Sequence, residues 1–202
     1  MGRIMTLRGS WTSTFGPATA YGATSGRLIF EYESPDRTRA WKVRYASAWV
    51  QECMVGATGN DQRALWQVSL LTDQLDSLQA KIVDAGSANT YQKAIGPADN
   101  RSIAWIQEDM LIRDNVTADW IGPDNGSSRS QMEFVCDANR IITNELYIVS
   151  YGLTEGTALT DIECSYYIEL EEIKLTPQES LFAQLKGTGQ EVGPQFRGFP
   201  TS

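Results

Sequence analysis

The chain contains no histidine among its 202 residues. This absence removes the most common general base, the usual protein ligand of zinc and iron, and every Ser-His or Cys-His nucleophile pair. A metal enzyme of the cupin type would lack its ligands here. The glycine-containing stretches match neither a Walker phosphate loop nor a dinucleotide fingerprint. The sequence therefore predicts no catalytic residues, no metal site and no cofactor.

Cysteine is scarce as well, with three residues at Cys53, Cys136 and Cys164. Their odd number and their position in apolar, strand-like runs are typical of buried, reduced thiols in a reducing compartment. Long apolar runs are also missing, including a signal-peptide core and any segment of membrane-spanning length. We therefore expect a soluble protein of the cell interior that folds without disulfides and has no membrane partner.

Charge is present in both signs but is distributed unevenly along the chain. The net charge is −8, yet residues 1–44 carry seven basic and three acidic side chains, while the remaining residues carry ten basic and 22 acidic ones. A predominantly acidic protein stays soluble and avoids nonspecific contact with nucleic acid. The asymmetry predicts surfaces of opposite sign on one molecule.

Nearly every apolar segment has the composition of a β-strand, rich in Val, Ile, Tyr, Trp and Thr and bounded by Gly, Pro, Asn and Asp. Several of the breaks are long enough to be crossovers between sheets. This pattern predicts an all-β, two-sheet antiparallel sandwich with Greek-key connections. A short helix is conceivable between Asp73 and Gly86. The predicted strands are 3–9, 27–33, 39–53, 64–75, 101–113, 132–136, 140–151 and 162–175.

The last predicted strand has one apolar face at period two, formed by Ile162, Cys164, Tyr166, Ile168 and Leu170, and it is followed by a helix signal. Thr176 occupies the N-cap position, Pro177 the first helical position, and Glu179 completes a capping box with the threonine. Gly187 supplies the C-terminal stop of a short helix. We therefore expect a sandwich domain over residues 1–175, and a C-terminal helix and extended tail over residues 176–202.

One strand, "RTRAWKVRYASAWVQEC", combines basic and aromatic side chains. At period two, Trp41, Val43, Tyr45 and Trp49 share one face with Arg39, and the opposite face carries Lys42 and Arg44. Such a face can hold phosphates, or it can be a solvated strand face balanced by nearby acids. The candidate nucleic-acid-binding residues are Arg37, Arg39, Lys42 and Arg44.

Two other chemistries remain open at this point. Tryptophans can form stacking platforms for sugars, although in strand patterns they more often belong to the core. The candidates are Trp11, Trp66, Trp105 and Trp120. A hydrolase with two carboxylates is also possible, because 25 acidic residues always provide pairs.

Three segments, "GPADNRSIAWIQEDMLIRDN", "NRIITNELYIVSYGL" and "YYIELEEIKLTPQESL", resemble in content and order the latter half of single jelly-roll capsid proteins from small circular single-stranded DNA viruses found in environmental samples. The likeness covers roughly residues 26–190 and extends to a "GRLIF" strand and an aromatic "AWKV" strand. Many of those proteins begin with a long Arg-rich arm that binds the genome. This chain has only Arg3 and Arg8 at its start, so Lys42 and Arg44 with their neighbours are the substitute candidates.

The resemblance implies a jelly-roll fold and a coat protein that assembles in many copies into a small icosahedral shell around single-stranded nucleic acid. Such a protein would be found in the virion and, during assembly, inside the host cell. The tail offers Phe196 and Phe199 among Gly and Pro, which is suited to an extended contact with a neighbouring subunit. The main alternative is a monomeric β-sandwich that binds carbohydrate.

Overall fold

The computed structural model describes residues 2–17, 23–32, 38–54, 62–72, 81–83, 90–92, 97, 99, 101–112, 132–154, 160–179 and 181. Most of these residues lie in strands, as their β-branched and aromatic content favours. The strands are β1 (Ile4–Pro17), β2 (Ala23–Glu31), β3 (Arg39–Met54), β4 (Gln62–Leu71), β5 (Lys81–Val83), β6 (Thr90–Gln92), β7 (Ser102–Ile112), β8 (Met132–Glu133), β9 (Val135–Cys136), β10 (Glu145–Thr154) and β11 (Thr160–Lys174).

The first sheet has the strand order β8-β3-β11-β1, and its pairings are antiparallel. β11 is paired along both of its edges. Ile168 of β11, for example, lies opposite Leu7 of β1 on one side and Ala46 of β3 on the other. Because side chains alternate along each strand, this register places apolar residues of all three strands on the same face.

The second sheet has the order β2-β10-β4-β7, again with antiparallel pairings. Ile148 of β10 lies opposite Leu70 of β4, and Val68 of β4 lies opposite Ile106 of β7. The short strand β9 pairs with β7 at its outer edge. β5 and β6 form a separate two-stranded hairpin.

The pairing pattern follows one rule along the chain. The first strand pairs with the last (β1 with β11), the second with the next to last (β2 with β10), and β3 and β4 pair inward in the same way with β8 and β7. A chain paired from the outside inward and then rolled into two sheets is a jelly roll. The predicted two-sheet antiparallel jelly-roll sandwich is therefore confirmed by strand order.

Two contacts connect the sheets at their edges. β8 pairs with β3 of the first sheet and β9 with β7 of the second, although only Phe134 separates them in sequence. At the opposite edge, Phe15–Pro17 of β1 run parallel to Gly152–Thr154 of β10. The sheets are thus joined by a backbone ladder at the β1–β10 edge and by the continuous chain through Phe134 at the other edge, which leaves less strand edge open to other chains.

The core fills the space between the inner faces of the two sheets. Trp11 and Trp66 stack at its centre with ring centroids 6.1 Å apart and an interplanar angle of 18°. Their indole N–H groups are satisfied within the core, since Trp11 donates to Ser150 Oγ at 3.1 Å and Trp66 donates to Ser13 Oγ at 3.2 Å. Around this pair lie buried aliphatic side chains from both sheets, including Val68, Leu70, Ile103, Leu146, Ile148, Ile162, Ile168 and Leu170.

Two glycines allow aromatic rings to approach the backbone closely. Gly9 lies opposite Tyr166, and a Cβ at this position would be 2.6 Å from the Tyr166 hydroxyl oxygen. Gly152 lies beside Phe15, whose Cα would be 2.9 Å from an added Cβ. Any larger residue at either position would displace part of the core.

Each of the eight predicted strands coincides with observed strand structure, and the differences lie in their ends. β1 continues to Pro17 and β2 begins at Ala23, so the predicted loop between them is shorter than expected. Residues 10–15, beyond the predicted strand, pair with β11, and Phe15–Pro17, where the predicted loop begins, pair with Gly152–Thr154 of β10. The helix considered between Asp73 and Gly86 is wrong for residues 81–83, which form β5; residues 73–80 lie outside the described residues.

The predicted capping box is present after β11. The Thr176 backbone N–H donates to Glu179 Oε2 at 2.9 Å, and the Glu179 backbone N–H donates to Thr176 Oγ1 at 3.3 Å. Residues 177–179 and 181 are helical. The predicted end of this helix at Gly187 lies outside the described residues.

Candidate functional site

The outer face of the first sheet carries most of the charged side chains of β1, β3, β8 and β11, together with Tyr45, Trp49 and Tyr167. The pairing register places one residue from each strand in a single row across the sheet: Arg8, Tyr167, Ser47 and Glu133. Arg8 and Glu133, at the two ends of this row, are exposed, whereas Ser47 is fully buried. We call the residues of this row and their neighbours on the same side of the sheet the outer face.

Aromatic rings occupy the middle of the outer face. The Arg8 guanidinium carbon lies 5.2 Å from the centre of the Tyr167 ring, a distance at which the cation is attracted to the ring electrons. Tyr167 in turn contacts Tyr45 edge to face, with centroids 6.1 Å apart. The Tyr167 hydroxyl donates to Glu169 Oε1 at 2.7 Å, and the Tyr45 hydroxyl donates to Glu133 Oε1 at 3.3 Å. Both tyrosines are therefore fixed by neighbouring acids.

A β-bulge in β3 decides which side chains reach this face. Tyr45 lies opposite Glu169, but the next pair along the ladder joins Val43 to Leu170, so Arg44 is an extra residue in β3. Arg44 and Tyr45 consequently both lie on the outer side, between the inward-facing residues Val43 and Ala46. The prediction that Tyr45 and Trp49 share a face with Trp41 and Val43 is wrong, because strict alternation along β3 is interrupted at the bulge.

Acids and bases lie side by side on two adjacent strands of the outer face. Lys42 of β3 is directly opposite Glu171 of β11, and Arg44 is next to the position opposite Glu169. Arg44 is exposed, and the other three are half-buried. β3 is thus basic and β11 acidic along neighbouring stretches, with side chains of opposite charge within reach across the strands.

The structure separates the predicted nucleic-acid-binding residues. Arg39 donates from Nη1 to Glu172 Oε1 at 3.0 Å. It lies two positions before Trp41, on the inward-facing side, and therefore on the side of β3 opposite to Lys42. Lys42 and Arg44 remain together on the outer face, whereas Arg37 lies outside the described residues. Phe196 and Phe199, the predicted inter-subunit residues, also lie outside them.

Two of the four tryptophans considered as sugar platforms are buried in the core. Trp11 and Trp66 are core residues, Trp105 is half-buried in β7, and Trp120 lies outside the described residues. Cys164 is a buried free thiol, as predicted, whereas Cys136 is a free thiol that is only half-buried, and its partial burial raises the pKa of Cys136. The side chain of Cys53 is not among those described.

A depression that the sequence did not predict lies where β1 meets β2. It has a volume of about 340 Å³ and is lined by Ser10, Trp11, Thr12, Gly26, Arg27 and Glu163. Arg27 donates from Nη1 to the carbonyl oxygen of Ser10 at 2.7 Å. Burial raises the pKa of nearby Tyr166, and the positive charge of Arg27 partly offsets this effect. No sequence signal marks this depression, because it combines residues of β1 and β2 with Glu163 of β11, which is far from them in the chain.

Two negative observations apply to the described residues only. Among them, no three His, Cys, Asp or Glu side chains come together in a way that could hold a metal ion. In the same part of the chain, no helix is both long and apolar enough to cross a membrane.

No family model and no curated protein matches this sequence. Among solved structures, the chain is similar to the unassembled VP1 pentamer of KI polyomavirus, with 12% identity, a TM-score of 0.39, and coverage of 79% of this chain and 77% of that one. It is also similar to the decameric BFDV capsid protein, with 12% identity, a TM-score of 0.31, and coverage of 85% and 100%. The 60-mer of the BFDV capsid protein has 11% identity and a TM-score of 0.33, with coverage of 86% of this chain and 95% of that one. These neighbours are viral capsid proteins in oligomeric form, while the jelly-roll assignment for this chain rests on its own strand order.

Proposed function

We propose that this chain is a viral coat protein, a jelly-roll subunit that associates with many copies of itself to form a closed shell around nucleic acid. The observation that carries the proposal is the outside-inward strand pairing of the two sheets. Jelly rolls of this kind recur in viral capsids, lectins and cupins. The order of the capsid-like sequence segments, from the "GRLIF" strand to the "TPQES" helix start, supports the first of these.

The other two classes of jelly-roll protein, cupins and lectins, fit this chain less well. Cupins bind metals through histidine, and the chain has none. A sugar-binding sandwich needs tryptophan faces that are accessible to the ligand, whereas Trp11 and Trp66 are stacked on each other in the core. A coat subunit needs extensive ordered surface for contacts with its copies, and the outer face of the first sheet provides charged groups of both signs for such contacts.

Particle formation by the purified full-length chain tests this proposal. We expect light scattering to detect particles far larger than the 22.4 kDa monomer, and negative-stain microscopy to show closed shells. Protein that stays monomeric over a wide range of salt and pH, without particles on the grid, would contradict the coat-protein proposal and favour the carbohydrate-binding alternative. A glycan panel would then be the next measurement.

The C-terminal segment is the part that we propose to reach a neighbouring subunit. Its two phenylalanines, Phe196 and Phe199, are too few to pack alone but are suited to an extended contact in a groove. Burial of both would contribute roughly 3 to 6 kcal/mol before the cost of ordering the segment. We therefore expect a chain truncated after Gly187 to keep its thermal transition as a free subunit and to assemble poorly.

Nucleic-acid contact through the basic strand is a separate proposal. Lys42 and Arg44 are available on the outer face, but Glu169 and Glu171 lie beside them and reduce the local positive potential. If these two cations hold phosphates, changing both to Gln lowers the nucleic acid that co-purifies with particles and flattens the salt dependence by about one unit per lost contact. An unchanged ratio of absorbance at the nucleic-acid and protein maxima would contradict this role.

A further inference from the structure

The charges of the outer face are arranged so that the face is complementary to itself. On two adjacent antiparallel strands, β11 contributes Glu169 and Glu171 and β3 contributes Lys42 and Arg44 at the same levels. In the next row, Arg8 lies on β1, the strand beyond β11, and Glu133 lies on β8, the strand beyond β3. These two residues are therefore equally far from a line drawn along the sheet between β11 and β3. Glu171 and Glu133 therefore each have a base at the mirrored position across this line, and Glu169 has Arg44 next to its mirrored position, which Tyr45 occupies.

We propose that the outer face binds the same face of a second copy of this chain, related by a two-fold axis that runs parallel to the strands between β11 and β3. Rotation about this axis places β11 of one copy over β3 of the other. Glu171 then faces Lys42 of the second copy, and Arg8 faces Glu133, and each contact occurs twice because the interface is isologous. The contact would be one of the subunit interfaces of the proposed coat protein, and in this sense the inference rests on the proposed function.

Charge pattern favours a second copy over the other occupants of such a face. A nucleic-acid strand would place its phosphates against Glu169 and Glu171 as well as against the cations, and like charges at close range are unfavourable. The second copy instead matches both signs at once. The half-buried Tyr45, Tyr167 and Trp49 supply apolar area near the middle of the face, where aromatic side chains contribute most to protein interfaces.

The expected size of the contact sets its strength. Four strands about 4.8 Å apart and four rows about 6.7 Å apart cover roughly 500 Å² per copy. Stable pairwise interfaces bury about 800 Å² per partner, so this contact belongs to the weak class when it acts alone. The contact should therefore depend on concentration and on salt, and should become persistent only when other contacts in a shell act together with it.

Charge reversal on one strand at a time provides a test that a purely intramolecular role cannot imitate. The variant Lys42→Glu with Arg44→Glu makes both strands acidic, and the variant Glu169→Lys with Glu171→Lys makes both strands basic. Each variant should repel its own copies, with self-association weakened at least about tenfold. The equimolar mixture should associate, because the acidic β11 of the first variant faces the basic β3 of the second and the reverse pairing is equally favourable.

Sedimentation velocity of the full-length proteins, alone and mixed, measures this difference, and circular dichroism confirms that each variant is folded. Repulsion between strands inside one chain is present equally in the single proteins and in the mixture, so mixing cannot relieve it. If Glu169→Lys disturbs folding by removing the acceptor of the Tyr167 hydroxyl, the milder pair Lys42→Glu and Glu171→Lys tests the same contact.

Three results would overturn the two-fold contact. Variants that each assemble like the natural chain would show that the face is not an interface, while the coat-protein proposal would stand. A mixture of the two variants that associates no better than each variant alone would also show that the face is not an interface. If the variant that lacks Lys42 and Arg44 assembles normally but co-purifies with less nucleic acid, the two cations bind phosphates instead. Natural protein that forms no particle, with variants that still associate only when mixed, would refute the coat proposal and support the contact.

Discussion

On the inner face of the first sheet, Trp11, Cys164 and Ile168 are buried against the second sheet, whereas on the outer face Arg8, Arg44 and Glu133 are exposed. Both faces are built from the same strands in alternating positions. Inner side chains pack within the chain, and the indoles of Trp11 and Trp66 also complete their hydrogen bonds there, whereas the buried Trp41 Nε1 has no hydrogen-bond partner among the described residues. The outer side chains are arranged in charge-matched rows that are only partly satisfied within one copy. Inner substitutions should therefore affect folding, and outer substitutions should affect association.

The largest expected difference between the faces is between two tryptophans. Trp66→Ala empties the centre of the core and should lower the free energy of unfolding by about 3 to 5 kcal/mol. Trp49→Ala, on the half-buried outer side of β3, should cost about 1 kcal/mol or less. Urea denaturation of the two variants as free subunits measures both values. Equal losses would mean that the outer face is as important for folding as the core.

The next difference concerns two glycines. Gly152→Ala would place a Cβ 2.9 Å from the Cα of Phe15 and 2.7 Å from its Cγ, at the parallel contact that closes the sandwich. We expect a loss of about 1 to 3 kcal/mol, because backbone and a core ring must shift. Gly26→Ala is the matched control, since its nearest neighbour is the Val149 Cγ2 atom at 3.2 Å, which belongs to a side chain. Thermal melts of both variants make the comparison, and a control that unfolds as readily as Gly152→Ala would contradict the steric argument.

A smaller difference is expected between two hydroxyl groups. Ser150 accepts from the Trp11 indole at 3.1 Å and lies 2.9 Å from Ser25 Oγ in the interior. Ser150→Ala leaves a buried indole N–H without this acceptor and should cost about 1 to 3 kcal/mol. Tyr167→Phe removes one hydrogen bond to Glu169 on the outer face and should cost about 1 kcal/mol or less.

Chemical denaturation of both hydroxyl variants, followed by sedimentation, tests the distinction in two ways. Ser150→Ala should shift the unfolding midpoint without changing self-association. Tyr167→Phe should leave the midpoint nearly unchanged and weaken association. If Ser150→Ala weakened association and Tyr167→Phe shifted the unfolding midpoint, the inner face would not serve folding and the outer face would not serve association as proposed.

The sequence predicted the inner face better than the outer one. Period-two alternation in β11 placed Ile162, Cys164 and Ile168 correctly inside, because a buried face requires an unbroken apolar set. In β3 the same rule failed at Arg44, since a bulge adds a residue without any change in composition. The ion pair of Arg39 and the matched rows of charge were also missed. Those features depend on which strands become neighbours, and strand order is not encoded in the local pattern of any single strand.

The smallest expected effect lies beyond both faces, at the capping box that follows β11. The backbone N–H of Thr176, followed by its hydroxyl, holds the pKa of Glu179 below its ordinary value. A carboxyl whose pKa is lower in the folded than in the unfolded state contributes stability above the unfolded-state pKa and loses it as the pH falls through the folded-state pKa. The half of the box in which the Glu179 carboxylate accepts should therefore be present at neutral pH and lost in acid, whereas the bond from the Glu179 backbone N–H to Thr176 Oγ1 does not depend on the carboxylate.

Thr176→Ala removes the hydroxyl but keeps the backbone donor, so the pKa of Glu179 should rise only part of the way to its ordinary value. An NMR titration of the Glu179 carboxyl in both proteins measures this shift, with Gln178→Ala as a control that alters an exposed helical residue outside the box. The thermal transitions of natural protein and Thr176→Ala should differ slightly at neutral pH and by less in acid, where only the bond from the Glu179 backbone N–H to Thr176 Oγ1 at 3.3 Å can remain. A difference that is equally large in acid would mean that the threonine stabilises the chain without the Glu179 carboxylate.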